Sequence, residues 1–426
     1  MARVSYGSAR RFSRRPAWAF VVAGSLALSG CVGSETLLPP RKVSQAQPAA
    51  VEPAYAAGVT PPASSMQAPG PLAGSTTIGT GPVKVALILP MSAAGQGGVV
   101  AQSMRNAAEM AVSEFQGQDI TLLVKDDRGT PEGAQAAAQQ ALAEGAELIV
   151  GPVFSGSVQA AAQVARERGK SVIGFSSDAS VATRGVYLLS FLVQEEVDRI
   201  VAFAAAQGRR SIAALIPETQ YGRVAEARLQ QATARHGLRI AALEYYPPGQ
   251  PQVGVQRLSR VIGGGAPQAD ALFIPDNGDG MPAVAQALQA AGFDSARVKP
   301  LGTGLWNEPR IFGLPALQGG WFAAPDNRGF EAFAERYRAR FSADPIRLAT
   351  LSYDAVTLAA ALSRMQGVQG FTDAMLTNPA GFAGADGVFR FNPDGTNRRA
   401  LTVQEIRNGA AVAISAAPRT LVASGT

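Results

Sequence analysis

Histidine and cysteine are almost missing: the 426-residue chain has one of each, His236 and Cys31. A lone cysteine excludes a disulfide within the chain, and the two together exclude a cysteine- or histidine-rich metal site. Most catalysis by a histidine base goes with them, and no nucleophile–base pair stands in its place. No stretch of about 20 consecutive apolar residues occurs, which excludes a polytopic membrane protein. Charge is sparse at 16%. Of the 38 basic residues, five arginines (Arg3, Arg10, Arg11, Arg14, Arg15) lie within residues 1–30, where there is no acid. The other 33 face 32 acids, so five of the net +6 belong to the amino terminus and the remainder, at +1, is essentially neutral. No basic cluster interleaved with aromatics is left, and nucleic-acid binding has no support. Gly169-Lys170-Ser171 has Val164 where a phosphate loop needs its first glycine. Gly95-Gln96-Gly97 has Val100 where a dinucleotide fingerprint needs its third.

What is present is apolar material and length. Hydrophobic residues make up 47% of the chain, enough for a large core, and the length suggests roughly two or three domains. The early arginines precede an apolar run, Ala17 to Leu28, too short to span a bilayer. A basic start, a short apolar segment and small residues after it describe an export signal over residues 1–30. That segment ends Leu28-Ser29-Gly30-Cys31, which resembles the bacterial lipobox, with the Cys31 thiol as the acceptor of a diacylglycerol. The protein is therefore expected in the periplasm, held to the cell envelope membrane, and to the outer membrane in preference, by a lipid anchor only. Residues 31–82 turn to Pro, Ala, Ser, Gly and Gln, with nine prolines. Such a segment buries too little surface to offset its ordering entropy and reads as a tether, with a coil span on the order of 40 Å.

From Val83 the pattern becomes regular. Short apolar runs at Val83–Leu89, Ile120–Val124, Leu148–Val150, Ser171–Phe175, Ser211–Ile216, Arg239–Tyr245 and Ala271–Ile274 are each followed by a loop and a helical segment. Short continuous runs alternating with helices indicate buried parallel strands in βαβ units. Thr130 and Pro131 have the character of an N-cap and first helical residue. Helices are expected at about Val99–Phe115, Phe330–Phe341 and Arg347–Met365. Gly387–Phe391, the turn Asn392-Pro393-Asp394-Gly395 and Ala400–Ile406 form a hairpin-like ending. The fold class is α/β, as two doubly wound parallel-sheet lobes.

The order of these motifs resembles the leucine-binding branch of the type I periplasmic binding proteins, over about Val83 to Ile414. The features that carry the resemblance are Lys84–Pro90 and Val124-Lys125-Asp126-Asp127, then Gly151-Pro152 leading to Ser155-Gly156-Ser157. Gln220-Tyr221-Gly222 and the closing Gly384-Ala385-Asp386-Gly387 with Phe391-Asn392-Pro393-Asp394-Gly395 agree as well. Within that branch, Leu87–Ser92 and Ile149–Phe154 are most similar to the penicillin-binding-protein-activator lipoproteins. The resemblance implies two lobes joined by three crossovers with a ligand cleft at the hinge. Residues 83–192 and 324–383 would form lobe 1, residues 193–323 and 384–415 lobe 2, and residues 416–426 a tail.

In open parallel sheets a ligand lies outside the carboxyl ends of strands. Phe154-Ser155-Gly156-Ser157 follows a strand and starts a helix, so its N–H groups and hydroxyls suit a carboxylate. Ser176-Ser177, after the next strand, would face the same cleft. In the resembled family these two loops hold an amino acid's α-carboxylate; otherwise Ser157 is an N-cap and Ser176-Ser177 a turn. Tyr221 matches a position that closes over ligand in that family, with half-buried packing as its alternative. Asp276 would reach an ammonium group. The family also places an acid on the next exit loop, where this chain has Leu301-Gly302-Thr303-Gly304-Leu305 and none. Trp306 and Trp321 are candidates for the cleft wall or the core. No enzyme activity, cofactor or metal is expected. The leading reading is a solute-binding lipoprotein that presents an amino acid or small carboxylate to an ABC permease. The other is a lipoprotein activator of peptidoglycan synthases, the penicillin-binding proteins.

Overall fold

Strand β1, Thr77–Ile78, adds to the edge of a sheet whose centre is the apolar run β2, Val83–Leu89. Five of the seven β2 side chains from Val85 onward are fully buried, which is why the run carries no polar alternation. A computed structural model describes residues 77–115, 118–264 and 266–421. Cys31, the export signal and most of the tether lie outside these residues. The first sheet continues with β3 (Ile120–Asp126), β4 (Ala146–Val150), β5 (Ser171–Gly174) and β6 (Val186–Leu188), in the order β1-β3-β2-β4-β5-β6. All its pairings are parallel except β1 with β3.

A second sheet collects β7 (Ser211–Pro217), β8 (Arg239–Tyr246), β9 (Ala271–Phe273), β10 (Lys299–Gly302) and β11 (Trp321–Ala324) in parallel, in the order β11-β10-β9-β7-β8. Strands β12 (Phe382–Gly384), β13 (Gly387–Phe391) and β14 (Asn397–Arg399) form a small antiparallel sheet. Strands β15 (Thr402–Arg407) and β16 (Ala410–Ser415) then extend the second sheet antiparallel beyond β11. The two large sheets, each with its helices, are α/β lobes. The chain passes between them three times, after β6, after β11 and after β14.

One boundary differs from the sequence expectation. Residues 384–415 were expected wholly in lobe 2, yet β12–β14 pack on lobe 1. Phe389 and Phe391, on alternate positions of β13, are fully buried in the same core as Tyr187, Phe333 and Val85. The β13–β14 turn is tied to β6 by Leu188 N–H donating 2.8 Å to Gly395 O. The turn composition marked a hairpin, but not the sheet against which it packs. The third crossing therefore lies at Ala400-Leu401. Among the described residues no helix is long and apolar enough to cross a membrane.

Candidate functional site

Two cavities open between the lobes, and Leu305 lines both. Most of each wall comes from loops leaving the carboxyl ends of strands, where side chains escape the sheet and helix N-termini point inward. The first cavity, about 390 Å³, is walled on lobe 1 by Ser177-Asp178-Ala179-Ser180 after β5. On lobe 2 its wall is Thr219-Gln220-Tyr221 after β7 and Pro275-Asp276-Asn277 after β9, with Val193 and Gln194 at the first crossing. Ser177, Tyr221 and Asp276, singled out in the sequence, thus line one chamber.

Ser155, Ser157 and Ser176 do not line it. Ser155 and Ser157 begin the helix Ser155–Glu167, whose cap is Phe154, so Ser157 is not an N-cap. Two helical residues turn the chain by about 200°, and Ser157 faces inward. It is 1% exposed, and its hydroxyl lies without hydrogen-bond geometry against the buried Asp127, whose Oδ2 also lacks a partner. Burial pushes the Asp127 carboxyl up to about 6, against the lowering effect of the Gly129 N–H and the Ser157 hydroxyl. Gly151, at φ 92°, makes the turn from β4 toward this helix; a Cβ there would meet Ile88 O at 2.1 Å. Ser176 is buried, and its Oγ accepts the Asp178 N–H at 3.1 Å.

On lobe 2 the acids are held from behind. The Tyr246 hydroxyl donates 2.5 Å to Asp276 Oδ2, and the Asn277 N–H donates 2.8 Å to Oδ1. Burial raises the Asp276 pKa, with the Tyr246 bond opposing it. The Tyr221 hydroxyl donates 2.9 Å to Thr303 Oγ1 and lies 3.4 Å from Glu196 Oε2. Glu196, 1% exposed, also accepts the Gly304 N–H at 2.9 Å. The β10 exit loop has no acid of its own, but an acid reaches it from the first turn of the helix Val193–Ala206. Nothing in the loop's own residues signals this. Asp178, Gln194 and Asn277 are further lining residues that motif reading passed over.

The second cavity, about 610 Å³, lies on the other side of Leu305. Asn307 and Asn327 exchange amide bonds of 2.7 and 3.0 Å across the lobes at its wall. Arg347 donates 2.9 Å to Asn327 Oδ1 and 2.6 Å to the buried Asp386, and stacks 4.8 Å from the Phe330 ring centroid. Arg310, about half-exposed, pairs with Glu308 and lies 3.0 Å from Asp279. Trp306 and Trp321 line neither chamber. Trp306 is fully buried and its Nε1 donates 3.1 Å to Ile274 O; Trp321 donates 3.0 Å to Glu405 and packs edge-on to Phe203. Among the described residues no cluster of three or more His, Cys, Asp or Glu is placed to hold a metal.

No curated protein matches the chain in sequence. Solved structures match the fold. A putative branched-chain amino acid ABC transporter from Rhodospirillum rubrum superposes with a TM-score of 0.69 at 19% identity, over 78% of this chain and 99% of that one. A solute-binding protein of an ABC transporter from R. palustris, in complex with benzoate, gives 0.58 at 19% identity, over 80% and 98%. The branched-chain amino acid transporter substrate-binding protein LivJ from Streptococcus pneumoniae, in complex with isoleucine, gives 0.56 at 17% identity, over 78% and 99%. The family model described as periplasmic binding protein matches residues 82–411. The chain belongs to the periplasmic binding protein family.

Proposed function

We propose that the protein is an extracytoplasmic, non-enzymatic solute-binding protein, anchored by a lipid on Cys31, that presents an amino acid or similar small carboxylate to an ABC importer. The observation that supports it most is the first chamber, where loops of both lobes converge with Ser177 on one side and Tyr221 and Asp276 on the other. In this reading Asp276 accepts from the ligand ammonium, the Ser177 hydroxyl and Gln194 amide donate to its carboxylate, and Val193, Val224 and Leu305 cover its side chain. Ligand contacts from both lobes favour the closed state over the open one, and closure is what a permease reads. The R. palustris and S. pneumoniae relatives, solved with benzoate and isoleucine, are consistent with a ligand of this size.

The second reading, a regulator of peptidoglycan synthases, draws on Ser155, Ser157 and Ser176. Ser157 and Ser176 are buried away from the chamber and Ser155 does not line it, as would suit a cleft given over to protein contacts. Thermal-shift screening with amino acids and benzoate separates the two. A bound ligand at about 100 times its dissociation constant stabilises by roughly 2.7 kcal/mol. Asp276→Asn removes a charge-assisted bond worth about 1.5–3 kcal/mol and is expected to weaken an amino acid at least about tenfold. No shift from any compound, with capture of a peptidoglycan synthase by wild type and Asp276→Asn alike, would sink the transport reading.

A further inference from the structure

We infer that the cleft takes a short peptide with both termini charged, its ammonium end in the first chamber and its carboxylate end in the second. The inference rests on the proposal that the cleft binds a solute, and extends it from one amino acid to a longer ligand.

Three observations carry it. The first is size: the chambers measure about 390 and about 610 Å³ and meet at Leu305. Each alone falls in the ~300–1,000 Å³ range of pockets that enclose drug-sized ligands. A single amino acid confined to one chamber leaves the other to water. The second is the sorting of charge. The first chamber is lined by Asp178 and Asp276, one from each lobe, and no Lys, Arg or His is among its lining residues. The second is lined by Arg310 from lobe 2 and Arg347 from lobe 1. An arginine carries five N–H donors in a fork that matches a carboxylate. Arg347 directs two bonds to Asn327 and Asp386, which with the Phe330 stack fix its guanidinium at the wall. Arg310 bonds Glu308 and Asp279 through Nε and one Nη, leaving its other amino group for a ligand. Glu308 and Glu331 also line the second chamber, but Glu308 is paired with Arg310 and Glu331 is exposed.

The third is the chemistry between the two ends. Leu305, Pro309 and Phe312 offer apolar surface, while Asn307, which bonds Asn327 through one N–H and one lone pair, keeps a second of each for peptide C=O and N–H groups. A peptide main chain uses both.

The test is calorimetry on the full chain with trialanine, its C-terminal amide, its N-acetyl form, and alanine and leucine. Trialanine is expected to bind at least about tenfold more tightly than either blocked form. Arg310→Ala is expected to erase the preference for a free carboxylate and keep the preference for a free ammonium. Its unliganded melting temperature is read alongside, because Glu308, which Arg310 pairs, is only 15% exposed and loses its partner in the variant. If alanine or leucine binds as tightly as trialanine, the inference falls and single-solute binding stands. If trialanine binds best but Arg310→Ala retains the carboxylate preference, the assignment of the second chamber falls. Binding of none of the five compounds overturns this inference, while the transport reading is decided by the thermal-shift screen with amino acids and benzoate.

Discussion

Asp127→Asn reverses a cost built into lobe 1. Asp127 follows β3, is fully buried, and accepts the Gly129 N–H at 2.9 Å through Oδ1. Its Oδ2 and the Ser157 Oγ lack hydrogen-bond partners. Burial lifts its pKa from 3.8 to about 6, so between those values the folded protein holds a proton that the unfolded chain has released. Stability must then fall as pH rises through that window, and the loss is complete above about pH 6. The gap between 3.8 and about 6 is worth roughly 3 kcal/mol. An asparagine keeps the acceptor for Gly129, adds an N–H donor toward Ser157, and does not ionise. The variant should match wild type near pH 4 and exceed it by up to about 3 kcal/mol at pH 7.5. Urea unfolding of both proteins across that range measures the difference. Other raised carboxyls, Asp354 and Asp276 among them, titrate in both proteins and cancel. A wild-type-minus-variant difference that stays flat from pH 4 to 7.5 would refute the argument.

The lobes were legible in the sequence because buried parallel strands have no solvent face to encode. Val83–Leu89 became β2 with the same limits, and Ser211–Ile216 became β7 one residue longer. The Asn392–Gly395 turn was legible for a similar reason: Gly395 takes φ 85°, and the turn composition announces it. What stayed hidden was direction. Ser155 and Ser157 sit two positions apart on a helix, so its rotation decides which hydroxyl meets the cleft, and that rotation is set by packing of Val158 and Ala161 on lobe 1. The hairpin signal at β13 likewise announced a turn without naming the sheet that its strands pack on. Glu196 was hidden most completely, since it reaches Gly304 from 108 residues away in the chain. Loop motifs report the residues a loop contains, whereas the cleft chemistry depends on what other elements deliver to it.

Two further predictions follow the same logic. Cys31→Ala should move the protein from membrane to soluble fractions, and unchanged detergent partitioning would remove the lipid anchor from the proposal. Arg399→Met concerns the hinge. Arg399 is 5% exposed; its Nε donates 3.2 Å to Ser190 O, and its guanidinium lies 4.9 Å from the Phe191 ring and 5.4 Å from Phe389. Its charge faces Asp354 Oδ2 at 3.9 Å, the carboxyl that burial pushes up to about 7 while Arg399 pulls it down. Without that cation the Asp354 pKa rises further. At pH 5 Asp354 is protonated with or without Arg399, and the loss there comes from packing and from hydrogen bonds such as that to Ser190 O, about 1 kcal/mol for each. At pH 8 an uncompensated buried charge costs about 3–5 kcal/mol unless it takes up a proton. The destabilisation by Arg399→Met should therefore grow between pH 5 and 8, and adding Asp354→Asn should flatten it and recover most of the loss. Because Arg399 joins the first crossing to the third, an equal loss at both pH values would mean that stacking on Phe191 and Phe389, and not the ion pair, holds the hinge together.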